Sequence, residues 1–249
     1  MSPQPAVKPV VPLMDVLLRI REDMRGRASG PYLYIGMPDV GRVRCFIGGY
    51  GECLRAFDVE EGPDDLFGQW MFSVKKALPG QGWDNGYLEE FHGDHHRAVL
   101  KYLDFVAEFR ALPPEALTSI EWNGGGEHPS VRVPSLVPVH PPKPTLDMLL
   151  GVRQEIGDRQ GRLFLFIGPI EVKRMAGFID GYRLCLSLAG ARDEEYPRFE
   201  RWLQEAKGVP AGQDWTLPFL KSCEGDAERA IRRLLECAVE FRSLHPSPR

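Results

Sequence analysis

Residues 46–54 read FIGGYGECL and residues 178–186 read FIDGYRLCL, so the string F-I-x-G-Y-x-x-C-L is written twice at an offset of 132. Extended outward without a gap, residues 14–112 align with 146–244, and about 30 of the roughly 100 aligned positions are identical. Asp15, Leu17, Leu18 and Arg21 return as Asp147, Leu149, Leu150 and Arg153, and Ile35-Gly36 returns as Ile167-Gly168. Farther along, Phe67 and Trp70 match Phe199 and Trp202, Gly80-Gln81-x-Trp83 matches Gly212-Gln213-x-Trp215, and Gly93-Asp94 matches Gly225-Asp226. Solenoid units run about 20–50 residues and need at least three copies, so a long period present twice points to a duplicated domain.

The expected organisation is a first repeat domain at 11–112, a Pro/Gly-rich linker at 113–145 and a second repeat domain at 146–244. The linker carries about eight prolines and a triple glycine, which rules out a regular helix or a central strand. Its SVRVPSLVPV stretch is apolar enough to lie on a domain as an extended strap, with free solvation as the alternative.

The fold class expected is mainly α, with about four helices and one short strand in each of two pseudo-symmetric repeats. Leu13, Val16, Leu17, Ile20 and Met24 recur at helical spacing and predict a helix over 13–25. A second helix is expected at 39–57, where Gly48 and Gly49 mark close packing, because glycine inside a helix costs about 1 kcal/mol against alanine. A third is expected at 64–78, matched at 194–207, and a fourth opens on Asp94 or Asp226 as N-cap and ends near Leu112 or Leu244. The short apolar runs 32–36 and 163–168 end on glycine and read as buried strands that could pair across the pseudo-twofold.

The chain has 249 residues with 43% hydrophobic and 27% charged side chains, ordinary globular proportions that exclude wholesale disorder. Its net charge of -4 lacks the basic footprint of a nucleic-acid binder, and no apolar run approaches the roughly 20 residues that span a bilayer. Neither nucleic acid nor membrane is therefore an expected partner. The five cysteines show no Cys-x-x-Cys spacing, so no disulfide framework, metal or cofactor is expected. The Pro-rich start has Asp15 interrupting its apolar stretch, reads as no signal peptide and makes cytoplasmic residence the expectation, while the tail HPSPR is expected to fray.

The cluster HGDHH at 92–96 could offer His92 and His96 to a metal, but the second copy has Glu224 and Glu228 there, which favours surface residues around a capping Asp94. Asp15 and Asp147 read as helix-dipole charges, Trp83 and Trp215 as core plugs, and Cys53 and Cys185 as small core residues. Arg21, Arg42, Arg153 and Arg174 sit at repeated positions, as charges paired internally or as contacts to an anionic ligand. The acidic run Asp58, Glu60, Glu61, Asp64 and Asp65, with Asp193, Glu194 and Glu195 at nearly the same place in the second copy, is denser than helix capping needs. It is the candidate surface for a basic protein partner. The first copy has 12 basic and 16 acidic residues, whereas the second is near neutral. No phosphate loop, G-x-S-x-G, H-E-x-x-H or strand-following G-x-G-x-x-G occurs, so an enzyme is not favoured.

At LLRIRED, YLYIG, CFIGGYGECL, FGQW, QGW and the terminal EFR, each copy resembles small, largely uncharacterised bacterial helical domains. Some of these are similar to cytoplasmic immunity proteins of polymorphic toxin systems. The resemblance implies a non-enzymatic protein-binding module that neutralises a toxin or another basic partner. A small-molecule sensor or enzyme using the cleft between the repeats, and a scaffold bridging partners, are the alternatives. The oligomeric state is left open.

Overall fold

The computed structural model describes residues 8–26, 32–80, 82–141 and 143–246. Gln81, the outermost N-terminal residues and the end of the expected fraying tail lie outside the described residues. Within them the chain is mainly helical, with two isolated bridges, Tyr32 with Gly36 and Glu60 with Ser135, in place of strands. Its contacts fall into two compact units: residues 1–44 with 54–141, and residues 45–53 with 142–249.

In the first unit α1 (Leu13–Gly26) packs along α4 (His95–Arg110), which also receives α3 (Trp83–Glu90); α2 (Val40–Ala56) gives only its two ends to this unit, its residues 45–53 belonging to the second. Apolar spacing explains the pairing, because Val16, Leu17, Ile20 and Met24 of α1 and Val99, Leu103 and Val106 of α4 are all buried. Asp94 caps α4 by accepting the Arg97 N–H at 3.0 Å. In the second unit, α5 (Thr145–Ile156), α6 (Val172–Leu188), α7 (Glu195–Lys207), α8 (Thr216–Ser222) and α9 (Ala227–Leu244) surround a core of Leu149, Ile179, Phe199, Phe219 and Leu234. Asp226 caps α9 through the Arg229 N–H at 2.9 Å.

The expected strands are absent among the described residues. Residues 32–36 form a tight turn closed by Tyr32 N–H to Gly36 O at 2.7 Å and Gly36 N–H to Tyr32 O at 2.9 Å, while Phe164–Ile167 is one helical turn. The physical reason is length, since four or five apolar residues ending on a glycine at φ +62 or +67 close locally as readily as they extend. Leu33 and Leu165 then point outward, at 75% and 73% exposure.

The helix expected over 64–78 is broken into a 3-10 turn (Gly62–Leu66), an α turn (Phe67–Gln69) and a π turn (Trp70–Val74), whereas its counterpart α7 is regular. Pro63, Gly68, Ser73 and Val74 stand where α7 has Glu195, Glu200, Glu205 and Ala206, all better helix formers. α3 and α8, each opening beside the repeated tryptophan, were not expected from the sequence. Their seven or eight residues are too few for periodicity to register.

Between α4 and α5 the chain forms a short helix (Pro114–Thr118) and a 3-10 turn (Pro129–Val131) and then runs without regular structure, with a bridge at Ser135 and bends at Val137, Val139 and His140. It lies on the first unit as the strap considered above. Glu60 and Ser135 exchange both backbone bonds, at 3.1 and 3.0 Å, Val10 N–H donates to Leu136 O at 2.8 Å, and Val139 N–H donates to Phe57 O at 2.9 Å. Gly62, at φ +63, lets this chain pass, since a Cβ there would meet Arg132 O at 3.0 Å and Pro134 at 3.1 Å.

Candidate functional site

The acidic run is the densest candidate, and its side chains divide into those used within the fold and those left to solvent. Glu61 Oε1 accepts the Leu13 N–H at 2.6 Å, satisfying a donor in the first turn of α1 from 48 residues away. Asp193 does the same for α5, accepting the Thr145 N–H at 3.3 Å and the Thr145 hydroxyl. Asp64 accepts from Arg110 Nη1 at 2.9 Å, and the same guanidinium bonds Asp15. In the second unit Arg242 binds Asp147 at 2.7 Å and Glu195 at 2.8 Å. Asp15 and Asp147 are thus anchors for an arginine of the last helix as well as favourable first-turn charges. Asp58, Glu60, Asp65 and Glu194 remain exposed, with Asp58 3.9 Å from His140, Asp65 3.9 Å from Arg132 and Glu194 3.8 Å from Arg192.

Burial pushes the Glu61 carboxyl up to about 7, and burial also raises Asp64, against the pull of Arg110, and Asp65. A carboxyl that holds its proton more tightly when folded stabilises the fold fully below its unfolded value near 4.5, and that contribution drains as pH rises through about 7. The Glu61→Gln variant keeps an oxygen for Leu13 N–H and removes the charge. It should gain on the order of 2 kcal/mol over the parent at pH 8 and show little difference at pH 4.5, read by urea denaturation at both pH values. An equal effect at both pH values would refute the assignment.

The side chains of Arg21, Arg153 and Arg174 have partners inside their own unit. Arg21 Nε donates to Asp104 at 2.7 Å and Nη1 to Glu22 at 3.0 Å, while Arg153 Nε donates to Glu236 at 2.8 Å and Nη2 to Asp158 at 2.9 Å. Arg174, 3% exposed, donates from Nη1 to Ile167 O at 3.4 Å, with Glu171 3.8 Å from its Nε. Arg42 is half-buried at the matching place in α2, where its backbone N–H donates to Asp39 Oδ1 at 2.9 Å. Further contacts recur at the same offset: Lys75 with Glu108 at 2.5 Å and Lys207 with Glu240 at 2.6 Å, and the Trp70–Phe109 and Trp202–Phe241 rings at 5.5 and 5.7 Å.

Trp83 and Trp215 are 7% and 5% exposed, and Trp83 stacks on Tyr102 at 4.1 Å, the plug role expected. Cys53 and Cys185 are buried in the second unit, where burial and the neighbouring Cys185 thiol raise the Cys53 thiol far above its usual range, the reverse of an activated nucleophile. His92 is exposed in the turn before Asp94, and no group of three His, Cys, Asp or Glu among the described residues could hold a metal ion. No helix among them is long and apolar enough to cross a membrane.

One surface escaped the sequence reading. On the strap Val131, Val133, Val137 and Val139 are 58%, 85%, 61% and 62% exposed, and Glu60, Glu127, Val131, Arg132 and Val133 line a shallow groove at one end. Four valines fall within nine residues there, and the prolines between them keep the segment from joining a sheet that would cover them. A scan of protein-family models gives no match, and no similar curated protein or solved structure was found.

Proposed function

We propose that the chain is a non-enzymatic protein-binding module of the immunity type, built as a tandem duplication, which neutralises a basic partner in the bacterial cytoplasm. The observation that carries this reading is the division of the acidic run. Asp64 and Glu61 are engaged within the fold and Asp65 lies 3.9 Å from Arg132, while Asp58 and Glu60 keep their carboxylates in solvent on the first unit. Exposed like charges beside one another speed the approach of a basic surface and orient it. The arginines favour this over an anion-binding cleft, since Arg21 and Arg153 already have carboxylate partners. The recurrence of caps, ion pairs and ring contacts at an offset of 132 supports the duplication.

An immunity protein should be encoded beside its toxin. Co-expression with the adjacent gene's product should relieve growth arrest, and the Asp58→Lys/Glu60→Lys double variant should lose that protection, with Kd rising at least about ten-fold. A harmless neighbour, or equal protection by the charge-reversed variant, would overturn the reading.

A further inference from the structure

We infer that the outward face of the strap is the apolar centre of the partner-binding surface, and that the partner presents an extended apolar strip flanked by lysine or arginine side chains. This rests on the acidic-surface reading above and says where the contact lies and what shape it takes. Soluble proteins seldom leave four large aliphatic side chains exposed in a row without a use for them. Here Val131, Val133, Val137 and Val139 are each more than half exposed along nine residues of strap that leave a 3-10 turn at Val131, pair at Ser135 and bend at Val137 and Val139. The backbone beneath them is fixed by the paired bonds between Glu60 and Ser135 and by the bonds of Leu136 to Val10 and Val139 to Phe57. The ridge is therefore held in place before any partner arrives, which lowers the ordering cost of binding.

Charge selects the occupant. Exposed acids border the valines along their length: Asp58 beside the Val139 end, Glu60 at the middle, and Glu127 at the Val131 end. Arg132, which lines the groove with Glu60 and Glu127, donates to Glu127 O at 2.9 Å and lies 3.9 Å from Asp65, so it offsets Asp65 and leaves the excess of acid to Asp58, Glu60 and Glu127. An apolar stripe bordered by carboxylates matches a strip of apolar residues bordered by cations, and it repels an acidic one.

A lysine–valine alternating heptapeptide carries that chemistry and serves as the probe, with glutamate–valine and lysine–serine heptapeptides as controls. Titrated into the full 15N-labelled chain at low salt, the lysine–valine peptide should shift the amides of residues 131–139 and 57–60, and the two controls should bind at least ten-fold more weakly. The Val133→Ser/Val137→Ser variant alters exposed side chains, so its unchanged Tm verifies the fold while its Kd for the peptide should rise at least ten-fold. If the lysine–serine peptide binds as tightly as lysine–valine, or the serine variant binds unchanged, the apolar centre is refuted while the acidic surface stands. If neither lysine peptide binds, both fall.

Discussion

Replacing Gly49 by alanine should cost the protein about 3 kcal/mol or more, and Gly181→Ala should cost as much. A Cβ on Gly49 would lie 1.9 Å from Phe178 O, and one on Gly181 would lie 2.0 Å from Phe46 O. Both obstacles are backbone, which cannot step aside as a side chain could, so the helices carrying them must separate and lose their packing. The adjacent glycine supplies the control. Gly48 would bring its Cβ no nearer than 3.9 Å to Phe178, and the second copy has Asp180 at that position. Gly48→Ala should therefore be neutral or stabilising by up to about 1 kcal/mol, the ordinary helix preference for alanine. Because Gly49 and Gly181 act on one contact, the double variant should lose clearly less than the sum of the two. Urea denaturation with amide exchange on α6 measures all four variants, and equal effects at Gly48 and Gly49 would contradict the close approach.

The second large effect is expected at Phe199. Its side chain is 0% exposed, and its ring sits 5.9 Å from Tyr196, 6.2 Å from Trp202 and 5.5 Å from Phe241. Phe199→Ala removes the ring from a site that α5, α7 and α9 enclose and should cost about 4 kcal/mol, lowering Tm by on the order of 10 °C. Phe67 holds the same place in the first copy, with its ring 5.4 Å from Phe109, but it is only half-buried, on the broken turns of 62–74. Water already reaches that ring, so Phe67→Ala should cost roughly half as much. Calorimetry that separates the two units tests the contrast. Equal losses would show that the two sites are packed alike, and a Phe199 loss below about 1.5 kcal/mol would contradict its close packing.

The repeat made the long helices legible, because a substitution tolerated between copies marks a position where packing is loose. By that test Gly49 and Gly181, kept in both, are tight, while Gly48 against Asp180 is not, and a reading that gave Gly48 and Gly49 the same role was half right. The acidic run was visible as a run, yet the destinations of Glu61 and Asp193 were not. Each reaches back 48 residues to a helix start, and no local pattern encodes a contact at that separation. Arg110 and Arg242 were likewise hidden, since their carboxylates come from two places in the chain: Asp15 and Asp64 in one unit, Asp147 and Glu195 in the other. Asp64 and Glu195 do not stand at matching positions under the offset of 132, so comparing the two stretches of sequence does not reveal the second carboxylate. Periodicity failed where elements were short. The turn at 32–36, the helical turn Phe164–Ile167 and the helix α3 each span eight residues or fewer, too little for a two- or 3.6-residue period to show.

The second unit is discontinuous, drawing residues 45–53 from the interior of the first copy. During synthesis those nine residues leave the ribosome some ninety residues before the remainder of that unit begins, with the strap made in the interval. At 5–20 residues per second they wait several seconds or more for their partners, and the contact that finally closes is one of long sequence separation. The final assembly of the second unit is therefore a late event, set by the arrival of α6 to α9 and not by the speed at which its own helices form. Proteolysis within 113–141 would also fail to yield a self-sufficient C-terminal half, because part of that half's interior is encoded upstream of the cut.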